Sequence, residues 1–212
     1  MLSIARIKDS RVENAWRDAE EYIHQTGGKA ISRSFMLCKS AHAPTWHAHS
    51  AGRHNDLVAA AALIVLGATG INVVSPMALH DIGKVSDFVR YWQEGESCSD
   101  FQQYNGHEER SAQIAIAHGL NEESQFVIRY HAMAYRCLRN PEQIFEKCGG
   151  DKDLLIKLIL AFACDAYGKG WTKAQKKQRP QIAFLIYNLC NQHGLPPVVR
   201  ETAVLLTLDG QR

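Results

Sequence analysis

Four side chains with metal-binding chemistry stand in order along the chain: His54, the adjacent pair His80-Asp81, and Asp165. His54 opens one apolar stretch, the pair closes a second in "MALHDIGKVSDF", and Asp165 lies towards the end of a third. Imidazole nitrogen mixed with carboxylate oxygen suits a hard-to-borderline divalent cation, and fewer than six protein ligands leave room for water. Water held in that way is acidified into a nucleophile near neutral pH. Buried polar residues also satisfy helix ends, so spacing alone leaves that simpler use of the four residues open.

The elements that must bring these residues together read as helices almost throughout. "SRVENAWRDAEEYIHQ" (10–25) has charged and apolar faces and stops at Gly27-Gly28. Residues 28–52 are polar, contain Pro44 and lack clear periodicity, which predicts mostly loop with room for one short helix. "HNDLVAAAALIVLGA" (54–68) reads as a buried helix. "GINVV" is a short strand or extended chain before Pro76, which suits the first turn of the next helix. Further helices are predicted over 106–119, closing on Gly119, and over 122–138. Another starts with Asn140 as N-cap and Pro141 at its first position. Residues 152–170, 179–193 and the closing "PPVVRETAVLLTLDG" complete the set. With no internal repeat or linker, the expectation is a single all-α domain over 1–212.

Composition narrows the class. A chain of 212 residues, 46% hydrophobic and 22% charged, can bury a sizeable core. A formal net charge of +2 argues against a broad basic surface, so any nucleic-acid contact is expected to be local. The longest apolar run, "LVAAAALIVLGA", is too short to span a bilayer, and the opening residues carry no apolar secretion signal. The cysteines at 38, 98, 137, 148, 164 and 190 have no zinc-like spacing, and those at 137, 148, 164 and 190 read as buried free thiols, which favours a reducing, cytoplasmic setting.

The order His54 … His80-Asp81 … Asp165 resembles the H…HD…D signature of HD-domain metal-dependent phosphohydrolases. "ALHDIGK", "NGHEERSAQIA", "VIRYHAMAYR" and "ACDAYGKG" are similar, in order, to segments of the HD domain of bacterial tRNA nucleotidyltransferases. "PTWHAHSAGRH" resembles that family's approach to its first ligand. The resemblance covers about 46–170, which would make the core of the domain an HD-type helical bundle with helical extensions on either side. It implies that His54, His80, Asp81 and Asp165 bind metal and that Lys84, on the helical face of Asp81, helps hold a phosphate oxygen. By the same resemblance His107 and His131 bind a second cation or contact the phosphate, with Glu108, Arg110 and Arg136 as weaker candidates for the pocket edge. The chain departs from the family in four places. Nothing in it resembles the nucleotidyltransferase head, since "GGDKD" lacks the preceding strand; Ser111 replaces a glycine; Lys169 replaces an arginine; and "GINVVSP" differs from the family's continuous helix.

Two segments outside that pattern could serve the same site. His47 and His49 lie just before the first ligand, and His47 is a candidate lid residue. "KGWTKAQKKQR" (169–179) is either a solvated loop or a phosphate-backbone contact, with Lys173, Lys176 and Lys177 drawing in an RNA end and Trp171 stacking on a base. The reading is a phosphodiesterase or phosphatase acting on nucleotides or RNA ends, with 2',3'-cyclic phosphates the leading substrate. It uses one or two divalent ions chosen from manganese, nickel, cobalt, iron, zinc or magnesium. A phosphomonoesterase acting on free nucleotides or signalling nucleotides, and a non-catalytic nucleotide- or RNA-binding module, are the alternatives. Oligomeric state is not legible in the sequence.

Overall fold

The computed structural model describes residues 7–37, 45–95 and 104–209, and all regular structure among them is helical. In chain order the helices are α1 (Ser10–Leu37), α2 (Ala51–Thr69), α3 (Val74–Leu79), α4 (Lys84–Gln93), α5 (His107–Ala117) and α6 (Glu122–Tyr130). They continue with α7 (Met133–Arg136), α8 (Glu142–Lys147), α9 (Lys152–Gly168), α10 (Lys173–Gln192) and α11 (Pro197–Asp209). The all-α expectation holds. Cys38 and Cys98 lie outside the described residues.

Helix α9 is the axis of the bundle. It is buried almost continuously from Leu155 to Gly168, which its unbroken apolar sequence requires, and α2, α6 and α11 pack round it. Helix α2 offers α9 a surface rich in alanine, so the two backbones approach closely enough to bring side chains from both into one site. The helices outside 46–170 are packed onto this core: α1 lies on α2 and α4, while α11 contacts α2, α9 and α10.

Several boundaries differ from the sequence reading. The glycine pair interrupts α1 rather than ending it: Gly28 takes φ 59° and ψ −142°, and the redirected chain stays helical to Leu37. That turn lets Ile31 and Phe35 bury, Phe35 meeting Phe88 of α4 edge-on at 5.2 Å. No strand forms at "GINVV"; residues 71–73 have no regular structure, and Pro76 falls in the first turn of α3, where its missing N–H is harmless. The helix expected over 122–138 breaks at His131 and Ala132. Helix α8 begins one residue late, with Pro141 rather than Asn140 in the capping position. Helix α10 begins six residues early because Thr172 caps it, its hydroxyl accepting the Gln175 N–H at 3.1 Å, and Pro180 is tolerated on its exposed side.

Candidate metal centre

Each predicted ligand sits where a helix ends. His54 lies in the first turn of α2, which Ser50 caps by accepting the Arg53 N–H at 3.2 Å. His80 and Asp81 occupy a tight turn between α3 and α4, held by the Ile82 N–H to the Leu79 carbonyl at 3.1 Å and the Lys84 N–H to the Asp81 carbonyl at 3.0 Å. Asp165 lies in the last turn of α9. Contacts of α3 and α9 with α2 and with each other bring the three ends together.

The four side chains converge on one buried point. His54 Nε2 is 3.1 Å from His80 Nε2, 3.3 Å from Asp81 Oδ2 and 3.2 Å from Asp165 Oδ1. His80 Nε2 is 3.3 Å from Asp81 Oδ2 and 3.9 Å from Asp165 Oδ1. Two donors bound to one cation at ~2.1 Å stand ~3.0 Å apart at a right angle and ~3.4 Å apart in a tetrahedron, so these separations fit a common ion. The residues present therefore match a divalent metal in both chemistry and spacing.

Three histidines are aimed by the same device. The Nδ1 of His80 lies 2.8 Å from the Met77 carbonyl, that of His107 2.7 Å from Tyr104, and that of His131 2.7 Å from Ile128. A carbonyl only accepts, so each Nδ1 carries a proton and the Nε2 of each ring turns inward. Such outer contacts fix the tautomer and orientation that a metal ligand needs. Asp81 joins two groups of donors: Oδ2 faces His54 and His80, while Oδ1 stands 3.0 Å from His107 Nε2 and 3.8 Å from His131 Nε2. A second cluster of potential ligands is formed by His80, Asp81 and His131.

Cations surround the two acids. Lys84 Nζ lies 2.5 Å from Asp81 Oδ2, and Lys169 Nζ lies 2.8 Å from Asp165 Oδ2 while resting 3.4 Å above the Tyr135 ring. Burial disfavours charge on Asp81, but His80, Lys84 and His107 outweigh it and hold the carboxyl well below its ordinary range. Burial is likewise overcome at Asp165, by Lys169, His54 and His131. At His54 burial works against protonation, yet the hydrogen bonds to Asp165 and Asp81 raise its pKa. Burial and neighbouring His80 push His131 down to about 3. A cation at this point would bind imidazole nitrogens only in their unprotonated form, so its affinity would be coupled to pH.

The remaining predicted residues divide. His47 packs its ring edge-on against His54, 5.1 Å between centroids, at the wall of the site. Glu108 reaches His107 Nδ1 at 3.4 Å and pairs with the exposed Arg136, so both stand at the rim beside the partly accessible His107. Arg110 points elsewhere: it binds Asp87 and donates to the Gly83 and Asn105 carbonyls, bracing α4 against α5. Trp171 donates from Nε1 to the Asp209 carbonyl at 3.3 Å and carries Arg179 over its ring at 4.6 Å, which ties it to α11. Lys173, Lys176 and Lys177 are exposed on the first two turns of α10, a helix rather than the solvated loop expected there.

Lys169 and Tyr135 join the site without having been singled out as site residues. The signal for Lys169 was its position four residues after Asp165, one helical turn on. Tyr135 gave none, since it is brought in by the break after α6; burial and the charge of Asp165 raise its hydroxyl pKa well above the ordinary value. No family model, curated protein or solved structure matches the chain.

Proposed function

We propose that the chain is a metal-dependent phosphohydrolase of the HD type, acting as a phosphodiesterase or phosphatase on nucleotides or RNA ends, with 2',3'-cyclic phosphates the first substrates to try. The observation that carries the reading is the convergence of the His54 and His80 Nε2 atoms with the Asp81 and Asp165 carboxylates at a buried point. His54, His80, Asp81 and Asp165 would hold one divalent ion; His107 and His131, with Asp81 between, could hold a second. A bound ion of this kind polarises a phosphoryl oxygen and acidifies water. Lys84 would leave Asp81 to meet phosphate oxygens, adding positive charge where negative charge develops. Without a second ion, His107, more accessible than the other ligands, would instead contact the phosphate or shuttle a proton. Cys137, Cys148, Cys164 and Cys190 are free and buried, in keeping with a reducing cytoplasm. Among the described residues no helix is long and apolar enough to cross a membrane.

The test is hydrolysis of 2',3'-cyclic AMP and bis-p-nitrophenyl phosphate by protein stripped of metal and then supplied with manganese, nickel, cobalt or magnesium. Turnover that needs metal and disappears in Asp81→Ala is the expected result. If metal binds but neither compound is cleaved, the diesterase reading falls and nucleotide monoesters or a binding role replace it.

A further inference from the structure

A concavity lies beside the loop that carries His47. It is an open cleft of about 510 Å³ between residues 45–46 and α10, lined by Trp46, Lys173, Lys177, Gln178 and Gln181 among others. Its volume is in the range of small-ligand sites. Lys173, Lys177 and Gln181 follow one another at four-residue spacing and so share one face of α10, with Trp46, 45% exposed as a residue, opposite them. Among the described residues no acidic side chain lines the cleft.

The loop between cleft and metal centre is anchored on both sides. Trp46 is fixed through its carbonyl, which accepts from Gln175 Nε2 at 3.0 Å, and the Ala48 N–H donates to the Lys169 carbonyl at 2.8 Å. Lys169 is the residue paired with Asp165, and His47 packs on His54. The same loop therefore borders both places, and a strand with its terminal phosphate at the metal centre would have to pass it to reach the cleft.

We infer that this cleft binds a further nucleotide of a single-stranded polynucleotide whose terminal phosphate occupies the metal centre, with Trp46 stacking on the base and Lys173 and Lys177 meeting the backbone. The inference rests on the proposed phosphohydrolase reading for the terminal phosphate, and it deepens that reading by favouring RNA ends over free nucleotides. An exposed indole facing two lysines and two amides suits single-stranded nucleic acid, because every base offers a π-face and every linkage a negative charge. Trp171 has no part in this, being engaged by Arg179 and α11.

The experiment is fluorescence anisotropy of a labelled single-stranded oligoribonucleotide of about eight nucleotides, a length within known site sizes, titrated with the full chain without added metal so that turnover does not intervene. Trp46→Ala should weaken binding about 5- to 100-fold, as loss of one stacked base does. Lys173→Gln with Lys177→Gln should weaken binding and lower the salt dependence, whose slope falls by about 1.4 when two phosphate contacts to a single strand are lost. Lys29→Gln, exposed on α1, is the control and should change nothing. Hydrolysis of bis-p-nitrophenyl phosphate should be unchanged in Lys29→Gln, which lies outside both the cleft and the metal centre. Absence of oligonucleotide binding, or equal affinity in the wild type and the cleft variants, overturns the inference. Binding that depends on the cleft without any hydrolysis leaves it standing and removes the phosphohydrolase reading alone.

Discussion

Ser111 holds the turn that carries His80 and Asp81. Its hydroxyl, fully buried, accepts the Gly83 N–H at 2.9 Å, and α5 comes so near that a Cβ on Gly83 would lie 2.6 Å from the His107 carbonyl. That serine thus supplies an acceptor to a backbone donor with no access to water. Ser111→Ala should cost about 1–3 kcal/mol by stranding that donor, read as a lower urea midpoint with unchanged slope. An unaltered midpoint would mean that Gly83 finds another partner. Gly168 has a comparable role on the far side of the site, where a Cβ would stand 2.9 Å from His54 Nδ1 and also crowd Val58. The residues that coordinate are legible as types in a sequence, but the residues that allow close approach are legible only once the neighbours are known.

At the scale of the element, helix ends carry most of the chemistry and some of the stability. Asp9 caps α1, its Oδ1 accepting the Arg11 N–H at 3.0 Å, and its Oδ2 accepts the Ser75 hydroxyl at 2.6 Å, tying α1 to α3. The Arg11 side chain first, against a smaller cost of burial and with Ser75 helping, lowers the Asp9 carboxyl from 3.8 to about 2. A depressed carboxyl stabilises the fold in full above the unfolded value and loses that contribution as pH falls through the folded value. Asp9→Ala should therefore cost about 1–2 kcal/mol at neutral pH, less where Arg11 is screened by solvent. The difference from wild type should close between about pH 4 and pH 2. Urea melts across that range check it, and a gap independent of pH would exclude the carboxylate as its source. The break at His131 follows similar logic: the ring donates to the Ile128 carbonyl at the end of α6, and the turn that results lets Tyr135 reach the site.

For the whole molecule, the two acids and the histidines join α2, the α3–α4 turn and α9, so a cation held there would cross-link the centre of the bundle. A metal at 100 times its dissociation constant adds about 2.7 kcal/mol to the stability of the folded state. For a chain of this size that is a rise in Tm of roughly 5–10 °C. Differential scanning calorimetry with and without manganese or nickel should show the rise in wild type and its loss in His80→Ala. An equal rise in both would place the ion elsewhere.

The sequence by itself determined the helical class, because apolar periodicity, caps and breakers act over a few neighbouring residues and are written locally. It also marked His54, His80, Asp81, Asp165, His107 and His131, whose types suit a metal wherever they meet. Only the tertiary structure decided that they do meet, with Nε2 atoms 3.1 Å apart and both carboxylates buried. It likewise brought Lys169 and Tyr135 in, turned Arg110 and Trp171 away, and set Trp46 opposite Lys173. The physical reason is that a side chain's direction depends on how its helix is rotated and packed against others distant in the chain, and local spacing carries no record of that rotation.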